Sequence, residues 1–425
     1  MKRILFAIVL VCMFGSYSWG VVFDSSSDSS ISQSNPSGLR EEDFAYLTAL
    51  ANDTFNCIAY FVDDQTDIPY DSSRQEPFTS ISNIGLYLAS ISAGYEMGFL
   101  EKEEAVEKIQ VTLNSLEQIE KWHNFPITWV NTETLERHFE SSFSYADHVG
   151  NLLAGLFVVK EIFPEFEERI NGYVSLMDFS VTYDERTGGL KGGYDIENQD
   201  FDIQQPWGDW FYNLLASDTR IFSLYGVASG QIPRRHWDSL NRNYNSWMNE
   251  AILYPGFEGG GIFMQYLPGI FIDEEGTKMH ESAYNFAKAQ IQYAAELNYP
   301  VWGWSASEAP DGRYLGWGSL KGEVVTPHAS VLAIEDFPLE VVANLRVLEE
   351  LGVRAPFIID GEEHDFGFRD SYNIETKDVC SEYLLLDQYM LFLSLANFLH
   401  NEVVRQSFSN DPVIQAGLEE LRNNY

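Results

Sequence analysis

The sequence predicts an all-α protein built from paired helices. Three observations carry that expectation: apolar residues recur at steps of three and four, the periodic runs stop at Gly or before Pro, and short turns alternate with long segments rich in aromatic, glycine and acidic residues. The first run, EEDFAYLTALANDTFNCIAYFV (41–62), places Phe44, Leu47, Leu50, Ala51, Phe55 and Ile58 on one helical face. The same period returns at 80–98, 101–122, 148–163, 210–230, 281–297, 339–352 and 381–403, for about ten to twelve helices in all. Such pairs form a bundle, a solenoid or a closed toroid of helical hairpins. No fixed repeat length is visible, which argues against a regular solenoid. In a toroid, alternate loops would collect at one end and form a cleft.

Ahead of the helices, MKRILFAIVLVCMFGSYSWG (1–20) has two cations, an apolar run and then small residues, the layout of a signal peptide. The mature chain is therefore expected to be secreted or periplasmic. The apolar run is too short for a comfortable membrane span. Residues 21–38 read as a Ser-rich linker, and 39–425 as a single domain. The formal net charge of -38 repels phosphate backbones and anionic lipids, so nucleic acid is a poor partner and a neutral polysaccharide or oligosaccharide a suitable one. Beyond the leader only Cys57 and Cys380 remain, as one disulfide or as two buried thiols.

The long segments carry the chemistry. VWGWSASEAPDGRYLGWG (301–318) gathers Trp302, Trp304 and Trp317 with Glu308, Asp311 and Arg313. FDIQQPWGDWFY (201–212) holds Trp207, Asp209 and Trp210, FPITWVNTETL (125–135) holds Trp129, and DGEEHDFGFRDSYN (360–373) holds Arg369 and Asp370 among several acids. Flat indole faces stack on the C–H faces of sugars, while carboxylates and Arg bond the hydroxyls. Cleaving a glycosidic bond needs one protonated and one ionised carboxyl group. Acidic candidates are many, and no spacing selects a pair.

Plainer roles compete for several residues. Asp147 precedes an apolar run and reads equally as a helix cap. Asp218 and Arg220, in SDTR, suggest a structural ion pair. His280, His328 and His364 share no ligand spacing, so no metal or other cofactor is expected. DDQTD (63–67) imitates the magnesium motif of prenyl diphosphate enzymes but sits in a loop after the first helix of a chain expected to be exported. A phosphate-cradling glycine loop, a G-x-S-x-G elbow and a supported catalytic cysteine are all absent from the sequence.

Seven blocks, including TSISNIGLYLASISAGYEMGFLEKEEAVEKI (79–109), SYADHVGNLLAGLFVVKEIFP (144–164), LLASDTRIFSLYGVASGQIPRRHW (214–237), GGGIFMQYLPGIF (259–271), PVWGWSASEAPDG (300–312) and FGFRDSYN (366–373), resemble in order those of the glucoamylase-like domain. That group includes DUF3131 proteins, bacterial β-1,2-glucanases and the cyclic β-1,2-glucan synthase domain that cuts and recloses glucan chains. The resemblance, over residues 42–400, implies an (α/α)6 toroid with a sugar cleft, and a glycoside hydrolase or transglycosylase acting on a β-glucan. It further implies that Asp370 is the general base, that Glu308 is an acid or substrate-positioning group, and that Asp147 matches the Asp of the V-D-x-G-N-L block. One departure stands out: Gln265 replaces a glutamate common among relatives, and the glucanase acid falls near Gly259–Gly261, with Glu258 as a substitute. Two rivals follow. The chain could bind glycan at Gln265 and the tryptophans without cutting it, or it could be a polysaccharide lyase, which the negative charge disfavours.

Overall fold

The long periodic runs become helices because each buries a continuous apolar stripe, and their order sets the architecture. The computed structural model describes residues 37–138, 143–202, 204–205, 208–256, 261–316, 322–422 and 425. The helices are α1 (Glu41–Tyr60), α2 (Ile81–Glu96), α3 (Lys102–Gln118), α4 (Ala146–Ile162), α5 (Glu167–Ser175), α6 (Arg220–Ala228), α7 (Arg235–Ser239), α8 (Phe263–Tyr266), α9 (Lys278–Leu297), α10 (Pro327–Val331), α11 (Pro338–Glu350) and α12 (Leu385–Leu399), then α13 (Val403–Ser409) and α14 (Pro412–Leu421). Up to α12 the even members are buried nearly all round where they are long, as α2, α4 and α12 are. The odd members α1, α3, α9 and α11 bury one face and expose the other. An all-round apolar helix needs neighbours on every side, whereas an amphipathic one suits the outside.

The even helices therefore form an inner ring. α2 packs against α4 and α12, α4 against α6, and α10 against α12, while α1 lies outside across α12 and α2. This is the (α/α)6 toroid of helical hairpins. Two glycines set its tightest crossing. A Cβ on Gly155 would come 1.8 Å from the Gly85 carbonyl oxygen, and one on Gly85 would come 2.3 Å from that of Asn151, so α2 and α4 touch backbone to backbone. Residues from Ser37 onward make up one compact unit.

Loop lengths differ between the ends of the ring. Segments leading into inner helices are long (61–80, 119–145, 176–219, 240–262, 298–326, 351–384), and those leaving them are shorter (97–101, 163–166, 229–234, 267–277, 332–337). Small antiparallel strand pairs stitch the long loops together. Thr79–Ser80 pairs with Trp129–Val130, and Val324–Val325 with Tyr372–Asn373. The N-terminal ends of the inner helices consequently meet: the Ser82 hydroxyl lies 2.9 Å from His148 Nδ1, and His328 Nδ1 lies 3.0 Å from Asp387 Oδ2.

Some expectations change. The helix read over 210–230 begins only at Arg220, because Phe211–Tyr212 pairs as a strand with Leu190–Lys191 and a turn follows. α8 and α10 are too short for periodicity to reveal. Cys57 and Cys380 are free, buried thiols. Cys57 faces the core from α1, but Cys380 sits in the loop before α12, its N–H bonded at 2.9 Å to the Ser371 carbonyl, so no bridge closes the ring. The segments expected to be a leader and a linker lie outside the described residues but for the last two linker positions. Among those residues no helix is long and apolar enough to cross a membrane.

Candidate active site

The long loops and the first turns of the inner helices bring five aspartates and one glutamate to the same end of the ring. Asp370, in the loop before α12, is 1% exposed. Its Oδ2 accepts the Glu308 N–H at 2.6 Å, its Oδ1 makes no hydrogen bond to protein, and its carboxyl lies near enough to that of Asp387, in the first turn of α12, to feel its charge. Burial first, then the Asp387 charge, pushes Asp370 well above the usual carboxylate range; Asp387 is likewise raised, chiefly by burial. Two such carboxyls cannot both ionise cheaply, so the doubly ionised form of the pair is disfavoured. His328, 1% exposed, is pushed down to about 4 by burial. It is therefore neutral at pH 7, positioned by the Thr326 hydroxyl at 2.8 Å and by Asp387.

Glu308 takes a different role. Both its carboxylate oxygens engage the Arg74 guanidinium, one at 2.9 Å, and its carbonyl accepts the Ser371 hydroxyl. This bidentate pair fixes the 301–316 loop against the 71–78 loop. Asp71, two residues after Pro69 in the latter loop, accepts the Asn83 side-chain amide at 2.9 Å. Burial, helped by the charges of Glu308 and Glu76, raises it to about 6.

The second group lies at α4 and α6. Asp147 occupies the first turn of α4 rather than its cap. Its Oδ1 accepts the His148 N–H at 2.9 Å and lies 3.4 Å from the Tyr212 hydroxyl. Asp218 sits in the turn before α6 with the Ser217 hydroxyl donating at 3.1 Å. Burial and then the Asp147 charge raise it to about 7. The expected ion pair with Arg220 does not form, because Arg220 turns inward to Glu274 at 2.9 Å and to four backbone carbonyls. Tyr314 ties the two groups together. Its ring is 58% exposed, yet protein crowds its flanks, and its phenol is raised by burial and by the charges of Asp387, Asp370, Asp71 and Asp218. Four acids thus act by charge on one solvent-reachable ring.

The other sequence-selected residues divide. Trp302 and Trp304, expected as sugar platforms, are 6% and 0% exposed. Their extended strand is clamped by side-chain amides: Asn344 bonds both backbone groups of Trp302, and Gln290 bonds both of Trp304, at 2.7–2.9 Å. Both indoles are core. Gln265, expected to meet substrate, is 1% exposed and spends its amide on the Ser282 hydroxyl (2.7 Å) and the Leu253 carbonyl (3.4 Å). Arg369 bonds the Ser381 and Pro356 carbonyls and lies over the rings of Phe357 and Tyr383, 4.4 and 4.8 Å from their centroids, so it braces its loop. Trp210 is half-buried, its ring lying where a Cβ on Gly192 would stand. Trp207, Trp317 and Glu258 lie outside the described residues. Sequence reasoning passed over Asp71, Asp387 and Tyr314, and set aside Asp218 and His328. The signal available was position, since each precedes or opens an inner helix or lies on a long loop.

Residues 211–412 match the Glycoamylase family, described as "Putative glucoamylase", and residues 56–205 match DUF3131, a family of unknown function. The chain is 27% identical over 282 residues to the cyclic β-(1,2)-glucan synthase NdvB of Rhizobium meliloti, covering 59% of this chain and 9% of that protein. It thus spans only a small part of that relative. Among solved structures it is similar to the endo-β-1,2-glucanase of Chitinophaga pinensis (TM-score 0.75, 15% identity, covering 89% of this chain and 98% of that one). A β-1,2-glucanase of Parabacteroides distasonis gives a TM-score of 0.76 at 15% identity, over 90% of this chain and 60% of that one. Likeness at such identity speaks to the fold. In sequence and in fold the chain is similar to glucoamylase-like proteins, residues 56–205 matching DUF3131 and residues 211–412 the Glycoamylase family.

Proposed function

We propose that the chain is a glycoside hydrolase or transglycosylase acting on a neutral β-glucan, with Asp218 as the proton donor and the Asp370–Asp387 pair as the base. The observation that carries this reading is the convergence of acids on Tyr314, one of them held near neutrality. A general acid works best when its pKa lies close to the operating pH, and Asp218 at about 7 satisfies that condition. In the reaction, water attacks the anomeric carbon and yields its proton to the Asp370–Asp387 pair. The glycosidic C–O bond breaks, and Asp218 protonates the leaving oxygen. A sugar hydroxyl in place of water gives transfer instead.

Asp147 supports the donor by its charge, Glu308 holds the loop that presents Tyr314, and neutral His328 positions Asp387. The similarity to β-1,2-glucanases and to a cyclic β-1,2-glucan synthase favours a β-1,2-linked substrate. The apolar N-terminal run favours export. Asp71, raised to about 6, is the second candidate for the donor.

The test is incubation of the purified mature chain with neutral glucans, β-1,2-glucan among them, with products resolved by mass spectrometry. Shortened chains establish hydrolysis and rearranged lengths establish transfer. Cleavage surviving in Asp218→Asn but lost in Asp71→Asn would move the donor to Asp71. Binding without products from any glucan would leave the protein a glycan binder.

A further inference from the structure

The DDQTD stretch has no part in the chemistry above, yet it borders a groove. Two of its aspartates are structural. Asp63 Oδ1 accepts the N–H groups of Gln65 and Thr66 at 3.0 and 2.9 Å, closing a turn, and Asp67 accepts the Tyr87 hydroxyl at 2.9 Å and pairs with Lys108 at 3.4 Å. Asp64 and Gln65 are left projecting to solvent. They line a groove of about 750 Å³ together with Tyr60, Tyr70, Gln75 and Glu133, a size within the range of ligand sites, roughly 300–1,000 Å³.

Tyr60 is 42% exposed, and its ring is backed by His364 and Phe366 at centroid distances of 5.1 and 5.2 Å. It is thus a preset flat face. The groove also continues the catalytic loop: Tyr70 is followed by Asp71, which joins the acids around Tyr314, and Arg74, which holds Glu308, is followed by Gln75. An anionic ligand would meet Asp64 and Glu133, and Lys108, the cation on the lining, is already paired with Asp67 at 3.4 Å. Among the described residues no group of His, Cys, Asp and Glu has the arrangement to hold a metal ion. Aromatic faces with planar amides and carboxylates suit a chain of hydroxyl-bearing rings.

We propose that this groove is a distal subsite for a neutral glucan chain whose reacting bond lies at the acids, and that it sets a preference for long chains. The proposal rests on the glucan reading of the cleft. Its test compares the full chain with Tyr60→Ala, measuring the ratio of kcat/KM on a long glucan to that on the shortest oligosaccharide cleaved; if glucan is bound but not cut, the ratio is of affinities. The ratio is expected to fall about tenfold, since an aromatic face of this kind contributes on the order of 1.4 kcal/mol. Tyr60→Trp is expected to restore it. The surface variants Asp64→Ala and Gln75→Ala, which disturb no packing, should lower it to a smaller degree. A ratio unchanged in Tyr60→Ala, or in the two surface variants should Tyr60→Ala fail to fold, overturns the subsite while the reading of the cleft stands. A parent that neither cleaves nor binds any glucan overturns both.

Discussion

The two ends of the helix ring both carry carboxylates, and they treat them in opposite ways. At the end where inner helices finish, acids are matched with cations. Glu274, in the segment leaving α8, bonds at 2.9 Å the Arg220 that opens α6, Glu335 and Glu402 share Arg405 at 2.5 and 2.9 Å, and Asp411 holds Lys160 at 2.5 Å. At the end where inner helices begin, Glu308 is held by Arg74, but Asp370 is acted on by the charge of Asp387 and Asp218 by that of Asp147, beside hydroxyls, amides and a neutral imidazole. A cation stabilises the ionised form, while burial beside another acid stabilises the protonated one. The first end is built to stay charged and the second to carry protons. Concavity does not separate them: the far end holds a cavity of about 270 Å³ lined by Tyr266, His280, Asp336 and Arg405.

The largest break in this comparison is expected from Asp218→Asn, which removes the proposed proton donor without altering shape. Cleavage should fall by up to about 10⁴-fold, about 5 kcal/mol of transition-state stabilisation. Stability should move the other way. Asp218 is raised in the folded chain to about 7, so its contribution is fully present below the unfolded value, about 4, and is lost as pH rises through 7. The variant should therefore melt higher than the parent at pH 8 and alongside it at pH 4. Melting curves at the two pH values, with glucan cleavage, check both halves. An active variant would remove Asp218 from the chemistry.

At the far end, Glu274→Gln leaves Arg220, which is 0% exposed, without its counter-charge. Breaking a buried pair by losing one partner costs about 3–5 kcal/mol. Denaturant unfolding should show that loss, while the parent's pH profile of cleavage is retained in whatever remains folded. A shifted profile would mean that the two ends are electrostatically coupled.

What was legible in the sequence follows the same division. The long helices were visible because a 3.6-residue stripe is a property of consecutive positions, and α1, α3, α9 and α11 begin and end close to the periodic runs. The loops were identified as functional by composition. Which loop residues face the cleft is a property of packing, and there composition misled: Trp302 and Trp304 look like platforms until Asn344 and Gln290 turn their strand into the core. Asp218 looked like the partner of Arg220 because the two are neighbours in sequence, yet Glu274, reaching Arg220 from another loop, takes its place. Asp370 and Asp387 are seventeen residues apart, and nothing local announces that their charges act on one another.

The smallest and sharpest test concerns Asp147, which acts on the proposed donor through its charge. Its negative charge is the second cause, after burial, of the rise in Asp218. Asp147→Asn removes that repulsion, so ionised Asp218 becomes less costly and its pKa falls from about 7 towards the ordinary carboxylate range. The alkaline limb of kcat/KM, which reports loss of the acid's proton in the free enzyme, should then move to lower pH. At pH 7 activity should fall about two- to fivefold, while at about pH 5 it should approach that of the parent, because Asp218 is protonated in both. The pH profile separates this role from a structural one, since damaged packing would depress the rate at every pH. A limb that stays in place would assign the whole rise to burial, and would make the turn before α6, rather than the facing acid on α4, the element that prepares the donor.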